Sequence, residues 1–317
     1  MGVVALVTGV SRYLGGQFAD RLVDQPGIDR VIGVDVVPPP RKLACEFVRA
    51  DLRGPGLGQL LQDANVDSVV HLGVIATPRQ AGNRSVMKDI NVIGTMQLLA
   101  ACQRAPSVKH LVVKSTAAVY GSGPKDPALI TEDSTPHHPP TSGWAKDSAE
   151  VEEYVRGFAR RRSDVRVCTL RFANIMGPGM RTGMTAYLSM PVVPTVLGFD
   201  PRLQFVHESD AIEVTRRVTL QRSSGTFNVA GAGVVLLSQA LRRLGRPSIA
   251  VPAPVFPFVG RTMARGSWAD FSRDQVRYLT YGRALDTDAI AAELGFTAEY
   301  SSEFALASFV EAVDHHG

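Results

Sequence analysis

Val3-Val4-Ala5-Leu6-Val7-Thr8-Gly9-Val10-Ser11-Arg12-Tyr13-Leu14-Gly15 is the stretch that decides the fold. Its first six residues are mostly apolar and β-branched and run into a glycine, which predicts a buried strand over Val3–Thr8. A helical pattern follows over Tyr13–Val23. Gly9 permits a tight turn off the strand, and Gly15 permits close packing of helix on strand. The start of such a helix aims free N–H groups and a positive dipole end at a phosphate. Asp35, twenty residues past Gly15, ends the next β-rich run. A carboxylate there accepts hydrogen bonds from ribose hydroxyls and repels a 2′-phosphate. These features predict a dinucleotide site that includes Gly9, Ser11, Arg12, Tyr13, Leu14, Gly15 and Asp35, for NAD rather than NADP. Arg12 stands where the middle glycine of the pattern is expected, and either clasps a phosphate or weakens cofactor binding.

Outward from that stretch, short apolar runs keep alternating with helical patterns. Strands are predicted at Val31–Asp35, Glu46–Arg49, Ser68–Leu72, His110–Lys114 and Arg166–Arg171, with helices over Met87–Arg104 and Lys146–Arg162. Apolar strands alternating with helices imply an α/β fold, a Rossmann-like doubly wound parallel sheet covered on both faces. Prolines and glycines break the chain after Asn174. Residues 1–175 therefore read as the nucleotide domain, and 176–317 mainly as a smaller C-terminal substrate lobe. Two further runs, Gln204–His207 and Thr226–Ala230, are expected to return to the main sheet or its edge.

Bulk properties narrow the classes. A net charge of +4 over 317 residues suits an anionic small molecule and gives no basic patch for nucleic acid. The dense run Arg160-Arg161-Arg162 reads as a solvated helix C-terminus. Cys45, Cys102 and Cys168 lie far apart in apolar settings, without metal-ligand spacing, as expected of reduced thiols in a cytoplasmic protein. No signal peptide, membrane span or metal is expected.

Further motifs recur in a recognisable order. They are Asp51-Leu52, His71-Leu72-Gly73-Val74, Asn91-Val92-Ile93-Gly94-Thr95, Ser115-Thr116-Ala117-Ala118-Val119-Tyr120-Gly121, Arg171-Phe172-Ala173-Asn174-Ile175-Met176-Gly177-Pro178-Gly179, Phe205-Val206-His207-Glu208-Ser209-Asp210, and Leu285-Asp286-Thr287 through Leu294-Gly295-Phe296. With them the chain resembles the extended short-chain dehydrogenases/reductases, the NAD-dependent epimerases and dehydratases of nucleotide sugars. The resemblance adds Asp51, Leu52, Leu72, Gly73 and Asn91 to the cofactor residues. It implies a homodimer through the helices near 87–104 and 146–162.

The same resemblance implies a Tyr-x-x-x-Lys pair beside the nicotinamide and a Ser or Thr after the fifth strand. Thr116 holds the last position. In Ser142-Gly143-Trp144-Ala145-Lys146, Lys146 is taken as the lysine, which puts Ser142 in the tyrosine's place. A serine hydroxyl is too short and too weakly acidic for that role. Three readings stay open. Another group supplies the proton: a water on Ser142 and Thr116, Lys146 itself, or Tyr187. The reaction needs no such acid. Or the protein binds NAD(H) without turnover. His137-His138 reads as an exposed turn or as a replacement acid. For the substrate, Asn174, Tyr187, Arg202 and His207 are the candidates. The methionines of the loop Met176–Leu188 add a hydrophobic, lipid- or polyketide-like molecule as the alternative to a nucleotide sugar.

Overall fold

The computed structural model describes residues 2–74, 82, 84–263, 269 and 271–314. In chain order the first half holds β1 (Val3–Thr8), α1 (Tyr13–Val23), β2 (Ile28–Asp35), β3 (Glu46–Arg49), α2 (Gly56–Asp63), β4 (Ser68–His71), α3 (Arg84–Lys88), α4 (Gly94–Arg104), β5 (His110–Thr116), α5 (Gly143–Arg161) and β6 (Arg166–Phe172). The second half holds β7 (Asn174–Met176), α6 (Gly183–Leu188), β8 (Val193–Val196), β9 (Arg202–Leu203), β10 (Phe205–His207), α7 (Glu208–Gln221), β11 (Gly225–Val229), β12 (Val235–Leu236), α8 (Leu237–Arg243), β13 (Ser248–Val251), α9 (Phe256–Met263), α10 (Arg273–Tyr281), α11 (Asp288–Leu294) and α12 (Ser302–Asp314).

The main sheet is seven-stranded and parallel, in the order β11-β6-β5-β4-β1-β2-β3. Its central strands are apolar on both faces because helices cover both. Ala5, Val7, Val112 and Leu170 face one cluster with α1 and α7. Leu6, Val69, Leu111 and Val113 face another with α2, α4 and α5. Chain order reverses between β1 and β4, and at such a switch point the carboxyl ends of the strands leave a crevice for ligands. A third cluster, from Met176 to Phe309, packs outside the sheet around Tyr187 and Phe205.

Two expectations need correction. The single helix over Met87–Arg104 is instead α3, a π-helical turn at Asp89–Ile93, and α4. Of the two runs expected to rejoin the sheet, only Gly225–Val229 does so, beside β6. Phe205–His207 pairs with β7 in a separate two-stranded sheet, because β7 has already left the main sheet after Phe172. Gly56–Asp63 is a helix that the sequence reading left unassigned.

His71 ties three elements together. Thr95 Oγ1 donates to the carbonyl of Asn91 at 2.6 Å, so it accepts from His71 Nε2 at 2.9 Å. Nδ1 then accepts from Thr8 Oγ1 at 2.8 Å, and Thr8 in turn accepts from the N–H of Gly73 at 3.2 Å. Every group in the chain is satisfied by a neutral ring, and burial lowers its pKa to about 4. His110, buried at the start of β5, is lowered to about 4 by the same cause.

Both histidines titrate near 6.5 once unfolded, so the stability that goes with their neutral forms is complete above pH 6.5 and is lost as pH falls towards 4. Each contributes about 3 kcal/mol to that loss. Urea unfolding between these pH values should show a falling midpoint, and His71→Gln should have a shallower pH slope than the wild type. An unchanged slope would mean that His71 is not neutral in the folded chain.

Candidate active site

The first wall of the site is the β1–α1 turn. Gly9 has φ +80° and donates its N–H to Val34 O at 2.9 Å. A Cβ on Gly15 would sit 2.3 Å from the carbonyl oxygen of Gly9, so nothing larger fits. Asp35 accepts from the N–H groups of Val36 and Ser11 at 2.8 and 3.1 Å, which aims its carboxylate over the turn. A cavity of about 480 Å³ opens there, lined by Gly9, Ser11, Arg12, Asp35, Asp51, Leu52, Arg53, Gly73, Ile90 and Gly94. This cradle fits a dinucleotide: bare backbone at the turn, a helix N-terminus, and a carboxylate at ribose distance along the next strand. Arg12 lines it, attracted to Asp35, while burial lowers its pKa. Asp51 is bound by Arg53 through two hydrogen bonds of 2.6 and 3.0 Å, which lower its pKa. Leu14 and Leu72 belong to the core behind the cavity, and Asn91 is buried in the π turn.

Tyr13 does not line that cavity. Its hydroxyl donates to Glu208 at the start of α7, and the other Glu208 oxygen accepts from Gly179 N–H at 2.9 Å. Burial and the Glu208 bond push Tyr13 up to about 12. A Cβ on Gly179 would fall 2.1 Å from the tyrosine ring, and one on Gly177 would fall 2.4 Å from Glu208. The Gly-Pro-Gly turn is therefore shaped by what presses on it.

One residue past Gly73, Val74 lines a second cavity. Lys114, Ser115 and Thr116 of β5, Trp144 and Ser148 of α5, Phe172, Asn174, Met180 and Met184 line it as well. Thr116 Oγ1 accepts from Ala118 N–H at 3.1 Å, which leaves its proton for a ligand. Asn174 donates to Tyr278 Oη at 2.8 Å. Burial pushes Tyr278 up to about 12. Tyr278, Gln204 and Arg283 extend the site beneath Asn174, and the sequence reading missed all three. Their signal was absent because Tyr278 and Arg283 come from a segment about a hundred residues after Asn174.

The largest correction concerns α5. Lys146 is exposed and lines a different surface groove, with Glu150 and Glu153. Two residues along a helix turn a side chain by about 200°, so Lys146 and the pair Trp144/Ser148 point to opposite sides. Trp144 and Ser148, four apart, face the cavity where a tyrosine and a lysine were sought. Ser142 caps α5 and is bound elsewhere: its N–H and hydroxyl donate to Asp274 of α10 at 2.6 and 2.7 Å.

The register of α5 is set one turn further on. Glu152 is 4% exposed and accepts from Ser115 Oγ and from Arg171 Nη2 at 2.7 Å. Residues 144, 148 and 152 form one stripe at i, i+4, i+8, so this pair decides which side chains look into the cavity.

Other candidates lie outside it. Tyr187 is fully buried and donates to Pro194 O at 2.7 Å, with its pKa raised by burial. His207 caps α7, accepting from Ser209 N–H at 3.2 Å, and packs against Tyr300 with 4.6 Å between ring centroids. Arg202 is exposed on the two-stranded sheet with β12. His137 and His138 are exposed on the loop over Gly121 and Gly123. Among the described residues there is no cluster able to hold a metal ion, and no helix is long and apolar enough to cross a membrane.

Comparison with known proteins agrees with this geometry. Residues 5–230 match the model of the NAD dependent epimerase/dehydratase family. An uncharacterised protein of Mycobacterium tuberculosis is 42% identical over 320 aligned residues, covering 99% of this chain and 83% of that protein. Among solved structures, MoeE5 in complex with UDP-glucuronic acid and NAD superposes with a TM-score of 0.76 at 22% identity over the full length of both chains. The UDP-glucose 4-epimerase of Thermotoga maritima with UDP-glucose gives 0.75 at 19% identity, over 99% of each chain. The dTDP-glucose 4,6-dehydratase of Bacillus anthracis in complex with NAD gives 0.74 at 17%, over 99% of this chain and 97% of that one.

Two substitutions separate the faces of α5. Lys146→Ala should change stability by less than about 0.5 kcal/mol and leave NADH affinity unaltered. Glu152→Ala strands Arg171 without its counter-ion and should cost about 3–5 kcal/mol in denaturant unfolding. A large loss of NADH affinity in Lys146→Ala would contradict the outward placement of that side chain.

Proposed function

Because this chain belongs to the NAD-dependent epimerase/dehydratase family, we propose that it oxidises or reduces a hydroxyl or carbonyl carbon held between Thr116, Asn174 and Trp144. The observation that carries this reading is the pair of cavities at the carboxyl edge of the sheet, one lined by Asp35, Gly9 and Gly73 and the other by Val74, Thr116 and Asn174. When bound, NAD takes up or returns the hydride of the reacting carbon. The β1–α1 turn and Arg12 hold its pyrophosphate, and Asp35 holds the adenosine ribose. Thr116 donates to the substrate oxygen, and Asn174 orients the substrate beside it. Residues 1–175 together with β11 act as the cofactor domain, and the remainder closes over the substrate.

For the substrate, two chemistries compete. Solved structures of this fold hold UDP-glucose or UDP-glucuronic acid, which makes a nucleotide sugar one candidate. Val74, Phe172, Ile175, Met180 and Met184 give the cavity an apolar wall, which favours a substrate with hydrophobic surface next to its reacting carbon. A second reading, NAD(H) binding without turnover, is favoured by Trp144 and Ser148, neither of which can serve as the usual acid. We also place a homodimer interface on the helices near 87–104 and 146–162, where Ile93 and Met96 are exposed, and a cytoplasmic location suits three free buried thiols. Light scattering showing only monomer would remove the dimer.

NADH fluorescence titration tests the cofactor. The wild type should bind NADH in preference to NADPH. Asp35→Ala should weaken NADH by about 10-fold or more, as expected for losing charge-assisted hydrogen bonds, and narrow that preference. A wild type that binds neither would sink the reading.

A further inference from the structure

The second cavity holds two polar groups for which the described residues supply no partner. Ser148 Oγ is buried and makes no hydrogen bond. Lys114 is half-buried in the cavity lining, and its ammonium makes no hydrogen bond or ion pair among the described residues. It precedes Thr116 by two positions on β5 and therefore shares its strand face. A partly desolvated ammonium without a counter-ion costs stability, so a fold that keeps one in a cavity retains it against its own stability.

We propose that Lys114, standing on the strand, exchanges the proton with the substrate oxygen beside Thr116, in place of the absent helix tyrosine and lysine. This rests on the function proposed above. In the oxidative direction the substrate O–H bond breaks and its proton forms a new bond to the neutral amine of Lys114, giving the ammonium. The electron pair left on oxygen becomes the second C–O bond as the hydride leaves for the oxidised cofactor. The reverse direction returns the same proton. Ser148, lining the same cavity, offers its hydroxyl to the cofactor's ribose.

The surroundings suit that task. Among the described residues, the titratable and charged groups that face Lys114 are Arg12, ahead of α1, and His71 of β4, which is neutral. The side chains of α5, β6 and β7 that line the cavity with it are Trp144, Ser148, Phe172, Asn174 and Ile175, all uncharged. Burial, and then the Arg12 charge, bring Lys114 down to about 8, close to a working pH.

The test uses the intact chain with NAD(H) and needs no knowledge of the substrate. Competitive acetylation of amines across alkaline pH, read by mass spectrometry, gives the titration midpoint of Lys114. It should lie near 8, against the ordinary lysine value of 10.5, and saturating NADH should slow Lys114 labelling while exposed Lys146 keeps its rate. Calorimetry gives an independent readout. The oxidised nicotinamide ring is cationic and disfavours a neighbouring ammonium, so NAD binding near that pH should release part of a proton, seen as a dependence of heat on buffer ionisation. Lys114→Met should still bind NAD and release none. An ordinary midpoint, labelling unprotected by bound NADH, or equal proton release in Lys114→Met overturns the role of Lys114 while leaving the cofactor site intact. A wild type that binds no NADH overturns both.

Discussion

Glu152 and Arg171 meet inside the protein, and the site depends on that contact. An ion pair so deeply buried holds only with good geometry and full hydrogen bonding. Both conditions are met here. Glu152 also accepts from Ser115, and Arg171 donates to Tyr120 Oη at 2.7 Å and to the carbonyl of Glu132 at 3.0 Å. Tyr120 passes its proton on to Asn228 of β11 at 2.9 Å. The network thus binds α5 to three strands of the sheet at one rotational setting. No rotation of α5 can bring Lys146 inward without breaking it.

The other fixed point is the switch in strand order between β1 and β4. Thr8 and His71 are paired neighbours there, and their hydrogen bond joins the two strands where they part. Gly9 follows Thr8 and Gly73 lies two residues past His71, and a Cβ on Gly9 would meet Gly73 Cα at 2.7 Å. Close approach of two bare backbones leaves room above them, and the first cavity opens there. Glu208 joins the second half of the chain to the same rim by receiving Tyr13 from α1 and the Gly179 backbone from the loop after β7.

Much of this was legible from the order of residues. The strand–glycine–helix run from Val3, the acidic end of β2 and the apolar strands are local signals, and the structure forms a Rossmann-like sheet from them. The face of α5 was not legible. Lys146 sits in a plausible local context, and a displacement of two residues changes little in sequence pattern but half a turn in space. The stripe Trp144, Ser148, Glu152 becomes visible only once Glu152 is seen against Arg171. Tyr187 and His207 were misread for a related reason. Both are polar residues near the motifs, yet Pro194 and Ser209 satisfy them locally.

The sequence alone therefore determined the fold class, the β1–α1 turn with Asp35 behind it, and the family resemblance, because each rests on residues close together or on the periodicity of a single element. Tertiary structure alone decided which helix face meets the cavity and that Lys114 and Ser148 lie there without partners. A lysine in the middle of an apolar strand reads locally as an oddity. Its environment is made by residues from five separate elements, and only their packing shows that nothing among the described residues answers its charge.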